Sequence, residues 1–445
     1  MMASFFPLRS LAMPARLTWR PPLLWLLQLA GLGAAIGVAC WPFNWLDAAQ
    51  ANLLQRLPAF SGESWSWSGY LLVASPLLVM PVLLLLQARL WRSGAGSGIP
   101  QTLVSVEDGE RAGMLLAPAP TLERLALWSL ATLSLMPLGR EGPVVQMGAA
   151  VFWTLRQRWP RLLGSLSQAD GLMVAAGAGL AAGFNTPLMA VVFVAEELSG
   201  RFVPGLIWPA LVVCAFAALV SSVGGQPEFA LGLLPIDPLE VHQMLVALPI
   251  GLVAGWLGGL FARLVLEATR RLLPMARRRP LRLGLALGLA LALLALISGG
   301  ASGGDGELLM GSLIRDAVPL QPSGTVLVTR LVGPPLALGA GVPGGLIDPA
   351  FSIGALVGDL MASPLGLGGA GLAFGMTAAL AGATQLPVLS LIFAARLAGD
   401  QQLLPGMLLA AALGAYLGRL LLNKPVYHAL TDLMQAGESV DSVRG

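Results

Sequence analysis

Gly139, Arg140, Glu141, Gly142 and Pro143 set two opposite charges between glycines, inside long apolar runs. A charge in such surroundings is expensive unless it is paired, solvated or used. Behind Pro143 the segment from Val144 to Ala150 opens as a helix, because proline suits a first helical turn. The amide N–H groups of that turn then point at whatever sits in front of them. Two more Gly/Pro-broken stretches, Gly96 to Pro100 and Gly345 to Pro349, interrupt apolar sequence in the same way. Close packing by glycine would explain one such stretch. Three of them, aimed into an apolar interior, favour a concave anion site that needs no full positive charge.

The other candidates carry alternatives. The Glu141 carboxylate either occupies the anion position itself, so that an anion must displace it or await its protonation, or pairs with Arg140 or another base. Ser97 either caps the helix that follows or gives its hydroxyl to a ligand. Glu196 and Glu197 end the apolar run Leu188 to Ala195. If buried, two adjacent carboxylates are not both comfortably ionised and one passes protons; if the helix has reached water, both are solvated. Tyr427, one of three tyrosines, reads as an interfacial anchor. Arg330 either satisfies carbonyls or lines an aqueous vestibule. Gly300 to Gly303 spells the GxSG of an intramembrane serine protease, with Ser302 as nucleophile. The two histidines, His242 and His428, lie in polar segments near span ends, so the stretch reads as a Gly-rich loop.

What positions these residues is a membrane-embedded chain. Of 445 residues, 56% are hydrophobic and 11% charged, where a soluble domain carries about 25% charged. Runs such as Gly69 to Ala88, Trp208 to Gly225 and Leu283 to Gly300 approach the ~20 residues that cross a bilayer as a helix. The 55 glycines and 33 prolines exceed what straight spans need and imply broken and re-entrant helices. A net charge of +3 gives no case for nucleic acid. Arg9, Arg16 and Arg20 before the first span, and the arginines from Arg270 to Arg282 in an inter-span loop, place both segments in the cytoplasm. The N-terminal stretch lacks a clean small-residue cleavage site and reads as retained. Cys40 and Cys214 read as inert packing residues, not a disulfide or metal pair. No cofactor or metal is implied.

Further apolar pieces include Leu125 to Leu138, Leu172 to Leu198 and Leu372 to Leu397. An internal repeat orders them. EGPVVQMGAA from Glu141 matches IDPAFSIGAL from Ile347, and GFNTPLMAVVFVAEEL ending at Leu198 matches ATQLPVLSLIFAARL ending at Leu397, about 200 residues on. Pro143, Gly148, Pro187 and Phe193 recur as Pro349, Gly354, Pro387 and Phe393. Two related halves with interrupted helices point to a substrate site at their interface. The expected division is a cytoplasmic segment 1–21, a first repeat 22–225, a second repeat 226–422 with the basic loop 270–282, and a short tail 423–445 that carries Tyr427 and leaves no room for a cytoplasmic domain. Glu196 and Glu197 have Arg396 and Leu397 as counterparts, so the repeat itself does not demand acids there.

GSGIP at Gly96 to Pro100 and GREGP at Gly139 to Pro143, followed by FNTPL at Phe184 to Leu188, closely resemble the CLC family of chloride channels and chloride/proton antiporters. The likeness spans about Pro22 to His428. It implies an all-α membrane fold of two inverted-topology repeats with broken and re-entrant helices, and a homodimer in the lipid bilayer with one pathway per subunit. By the resemblance, chloride is held by Ser97, by Tyr427 in KPVY, and at Gly98, Ile99, Arg140, Glu141, Leu346 and Ile347. Glu141 resembles the external gating, proton-carrying glutamate, and Glu197 the internal proton-transfer glutamate of the antiporters. The implied function is chloride/proton antiport, not enzymatic, in a bacterial inner membrane; a passive voltage- or pH-gated chloride channel is the alternative. The third motif departs from the family's GxFxP. Ile347 replaces the common phenylalanine, and Asp348 adds a negative charge beside the anion path that either lowers occupancy or is paired.

Overall fold

The computed structural model describes residues 22–164, 166–225, 239–315 and 323–442. The expected cytoplasmic segment 1–21, with Arg9, Arg16 and Arg20, and the start of the second repeat at 226 lie outside the described residues. Within them the chain is all helix and loop, apart from one isolated antiparallel bridge between Gly139 and Gly345.

The helices sort by composition. Six stretches are long and apolar enough to cross a membrane, among the described residues: Leu23–Leu54, Trp67–Arg89, Pro204–Val223, Val241–Arg278, Pro280–Ile297 and Gln401–Ala436. Their outward faces expose Leu71, Leu78, Leu219, Leu285 and Leu420. Water would not tolerate so continuous an apolar surface, whereas lipid does. Inside them sit shorter, glycine- and alanine-rich helices. Glu141–Arg158 packs on Gln168–Phe184, and in the second half Ile347–Ala362 packs on Gly368–Thr384. Residues 171 to 184 are all buried. Gly148 and its repeat counterpart Gly354 do equivalent work: a Cβ on the first would strike the Ala175 carbonyl, and on the second the Gly375 carbonyl. The helix backbones therefore touch, as small residues allow in membranes.

The repeat extends to backbone detail. The apolar pieces from Leu172 to Leu198 and from Leu372 to Leu397 are each two helices. The breaks fall at Asn185 and Gln385, both left-handed, at φ 49° and 62°. A left-handed residue closes a helix, and Pro187 or Pro387 then opens the next. The Leu125 to Leu138 piece differs too: its helix runs Pro118–Leu133 and stops because Leu135 turns to φ 59°. The expected basic loop 270–282 is almost entirely helical, since Ala247–Arg278 continues to within one residue of the next helix at Pro280. Glu267 supports that extension through Arg270 and Arg271 one turn on. The tail from Asn423 likewise forms a helix, Val426–Ser442.

If the packed glycines hold both halves, Gly148→Val and Gly354→Val are each expected to destabilise the protein by about 1–3 kcal/mol or more. Thermal unfolding in detergent checks this. Gly205→Ala, with nothing within 4 Å of its added carbon, is expected to unfold as the parent does.

Candidate functional site

The site is assembled where the three broken motifs meet. In the first, Gly98 stands at φ 114° immediately before the helix Ile99–Glu107. A Cβ there would strike the Gly142 carbonyl, and a Cβ on Gly142 would strike the Ser97 carbonyl and hydroxyl. Only two glycines let these motifs approach so closely. The loop carrying Ser97 is held by Gln101, whose Oε1 accepts the Gly98 N–H at 2.9 Å, and by the buried Arg124. That guanidinium donates to the carbonyls of Ser93, Ala95 and Gly96 at 2.9–3.1 Å and to Gln146.

The second and third motifs pair directly. Gly139 N–H donates to the Gly345 carbonyl at 3.1 Å, and Gly345 N–H to the Gly139 carbonyl at 2.8 Å. The two turns pair antiparallel, and each leads directly into a helix, Glu141–Arg158 in the first half and Ile347–Ala362 in the second. Asp348 N–H, in the first turn of the second-half helix, donates to Glu141 Oε1 at 2.6 Å. The carboxylate also lies flat on Gly345, since a Cβ there would collide with it. A carboxylate from one repeat thus sits on the N-terminus of the other repeat's helix, where anions are favoured. Glu141 is fully buried.

Arg140 is not its partner. The guanidinium binds Asp47 and, at 2.9 Å, Glu307, and lies 4.7 Å over the Phe184 ring. Asp305 joins this buried group by accepting the Glu307 N–H at 3.0 Å. Of the pairing envisaged for Glu141 and Arg140, the structure keeps two separate halves: the base among three acids, the acid on backbone amides.

Ile99, Leu346, Ile347 and Asp348 are all buried beside this junction. Ser97 Oγ and Tyr427 Oη are buried and have no hydrogen-bonding protein partner. Such hydroxyls are uncommon, and as donors they suit an anion. Tyr427 is wholly buried and lies within electrostatic reach of Glu141 and of Glu197, so the anchor reading gives way to an interior position. The Asp348 carboxylate oxygens are likewise without a hydrogen-bond partner. A cavity of 670 Å³ opens onto Ser97 and Leu346, with Arg92, Arg270, Arg277 and Arg278 at its walls.

The two adjacent acids part company. They lie in a wider π-helical turn, Val194–Leu198, a local irregularity often found at functional sites. Glu196 accepts the N–H groups of Val388 and Leu389 at 3.1 and 2.7 Å and so caps the Pro387–Ala398 helix. Glu197 turns inward with its side chain 1% exposed, and His428 Nε2 lies 3.7 Å from its Oε1. The solvated-pair reading fails for Glu197. Arg330 satisfies carbonyls: it donates to Ala301, Gly303 and Gly304 at 2.7–2.9 Å. The loop with Ser302 is therefore structural, and no histidine serves it, since His242 pairs with Glu240 and His428 faces Glu197. Cys40 and Cys214 are free and buried.

Sequence reasoning missed Arg124, the acids around Arg140, and His428. Arg124 and His428 carried a faint signal: one is the lone base on its helix, the other adjoins Tyr427.

Comparisons with known proteins bear on the family and the fold. The family model described as "Voltage gated chloride channel" matches residues 77–419. A voltage-gated ClC-type chloride channel ClcB from Citrobacter koseri is 30% identical over 311 residues, covering 66% of this chain and 72% of the relative. The ClcB of Escherichia coli O17:K52:H18 is 28% identical over 304 residues, covering 66% and 71%. Among solved structures, a slow cyanobacterial Cl−/H+ antiporter superposes with TM-score 0.73 at 22% identity, covering 94% of this chain and 99% of its own. A CLC-type fluoride/proton antiporter superposes equally well, at 23% identity and 93% and 99% coverage. The chain belongs to the voltage gated chloride channel (CLC) family and is an integral membrane protein with its fold.

Gly142→Ala is expected to push the Ser97 loop off the Glu141 helix and weaken chloride binding about tenfold, roughly 1.4 kcal/mol. Titration calorimetry in detergent checks it, with Gly205→Ala as the neutral control.

Proposed function

We propose that this protein is a chloride/proton antiporter in which Glu141 is the external gate and proton carrier. The observation that carries the reading is the Asp348 N–H on the Glu141 carboxylate. A group that fills an anion position as an anion, and must leave it for chloride to enter, leaves most readily when protonated. Each departure then ties a proton to chloride movement. Ser97 Oγ, Tyr427 Oη and the amides at Gly98, Ile99, Arg140, Leu346 and Ile347 are the donors assigned to dehydrated chloride. The Arg140 guanidinium, engaged with Asp47 and Glu307, holds the turn in place, leaving its backbone to face the anion.

Glu197 is assigned the inner half of the proton route. A buried carboxylate with no hydrogen bond to satisfy it is costly unless it has a use, and Tyr427 lies within electrostatic reach of both it and Glu141. Antiport accounts for a second buried acid on the cytoplasmic side of the anion path, and passive conduction gives it nothing to do. The likeness to the cyanobacterial and fluoride antiporters supports the same fold only. By the family resemblance, and because the curated relatives named above are bacterial, we place the protein in a bacterial cell membrane as a homodimer.

Reconstituted liposomes under a chloride gradient test the reading. The parent protein is expected to drive protons uphill. Glu141→Gln or Glu141→Ala is expected to abolish proton movement while chloride flux continues uncoupled. Glu197→Gln is expected to leave chloride moving with proton flux reduced at least about tenfold. Chloride flux without uphill proton movement in the parent would make the protein a passive channel.

A further inference from the structure

Resting on the antiport reading, a question remains of how protons reach Glu197. Its side chain is 1% exposed, and its neighbour in sequence offers no route, because the Glu196 carboxylate is committed to two backbone amides of the Pro387–Ala398 helix. One titratable side chain joins Glu197 to solvent among the described contacts. His428 is 42% exposed at its side chain, with Nε2 3.7 Å from Glu197 Oε1. It follows Tyr427 in the first turn of the Val426–Ser442 helix. Tyr427 is wholly buried and faces the interior, whereas His428, one residue and about 100° further round the helix, reaches the surface. The same helix sends Leu430, Leu433 and Met434 into the wall of the arginine-lined cavity, which by the positive-inside rule puts this end of the protein on the cytoplasmic side. The charged residues nearest to it along its own segment, Lys424 and Asp432, are paired with each other at 2.6 Å.

We propose that His428 is the proton relay between the cytoplasm and Glu197. Imidazole suits the task because its two nitrogens let it take up a proton on one side and give one up on the other. The doubly protonated ring gives its Nε2 proton to Glu197 Oε1, forming the neutral acid. The neutral ring then recovers a proton from cytoplasmic water. At 3.7 Å the transfer needs a small rotation of the ring or one intervening water, within the reach of general acid catalysis. The reverse sequence discharges a proton arriving from Glu141.

The test uses the full chain in liposomes, comparing proton and chloride fluxes under a chloride gradient. His428→Gln keeps a polar side chain but carries no proton; His428→Glu has the same shape and does. His428→Gln is expected to lower proton flux at least about tenfold while chloride movement persists, so that more chloride moves per proton. His428→Glu is expected to restore the proton flux. The relay is overturned if His428→Gln retains the parent's proton-to-chloride ratio, or if both variants lose proton and chloride flux together, which marks a structural role. Failure of the parent itself to move protons would refute antiport and the relay with it. A parent that pumps beside an unaffected His428→Gln would refute the relay alone.

Discussion

One contact organises the molecule: the carboxylate of Glu141 seated on the amide of Asp348 and against Gly345. It joins the first turn of one repeat to the first turn of the other, in a place that excludes water and offers backbone dipoles in return. The rest of the architecture serves this junction. The Gly139–Gly345 pair fixes the two turns against each other. Arg140 is drawn aside by Asp47 and Glu307, so its guanidinium does not neutralise Glu141. Packed glycines at 148 and 354 bring the two inner helices to the required depth.

The two halves share a backbone and divide the chemistry. Where the first repeat has Glu141 and Gly142, the second has Ile347 and Asp348. The first contributes the carboxylate, and the second the amide that receives it. The same division recurs nearer the surface: Glu196 of the first repeat caps the Pro387 helix of the second. Carboxylates of one half on helix N-termini of the other are a consequence of inverted repeats, which bring such termini together near the middle of the membrane.

Much of this was legible in the chain itself. The motifs around Ser97, Glu141 and Ile347, the repeat, and the membrane class follow from local spacing and composition, and the structure brings those three motifs together at one junction. What the sequence could not disclose depends on side chains far apart in the chain. Asp47 and Glu307 meet Arg140 across 93 and 167 positions, and no local pattern encodes such a meeting. Glu196 and Glu197 look alike in sequence, yet a single π-helical turn sends one to a helix cap and the other into the interior. The breaks at Asn185 and Gln385 were hidden because neither residue is glycine, although each takes a left-handed conformation. His428 acquired its meaning only from a glutamate 231 residues away.

The central claim is that the Glu141 carboxylate occupies an anion position. Its most direct measurement is anomalous diffraction from crystals of Glu141→Gln and of the parent protein, both soaked in bromide. The account expects a bromide peak at the Asp348 amide in the variant that is absent or much weaker in the parent. No peak at that amide in the variant, with bromide present elsewhere along the path, would contradict it.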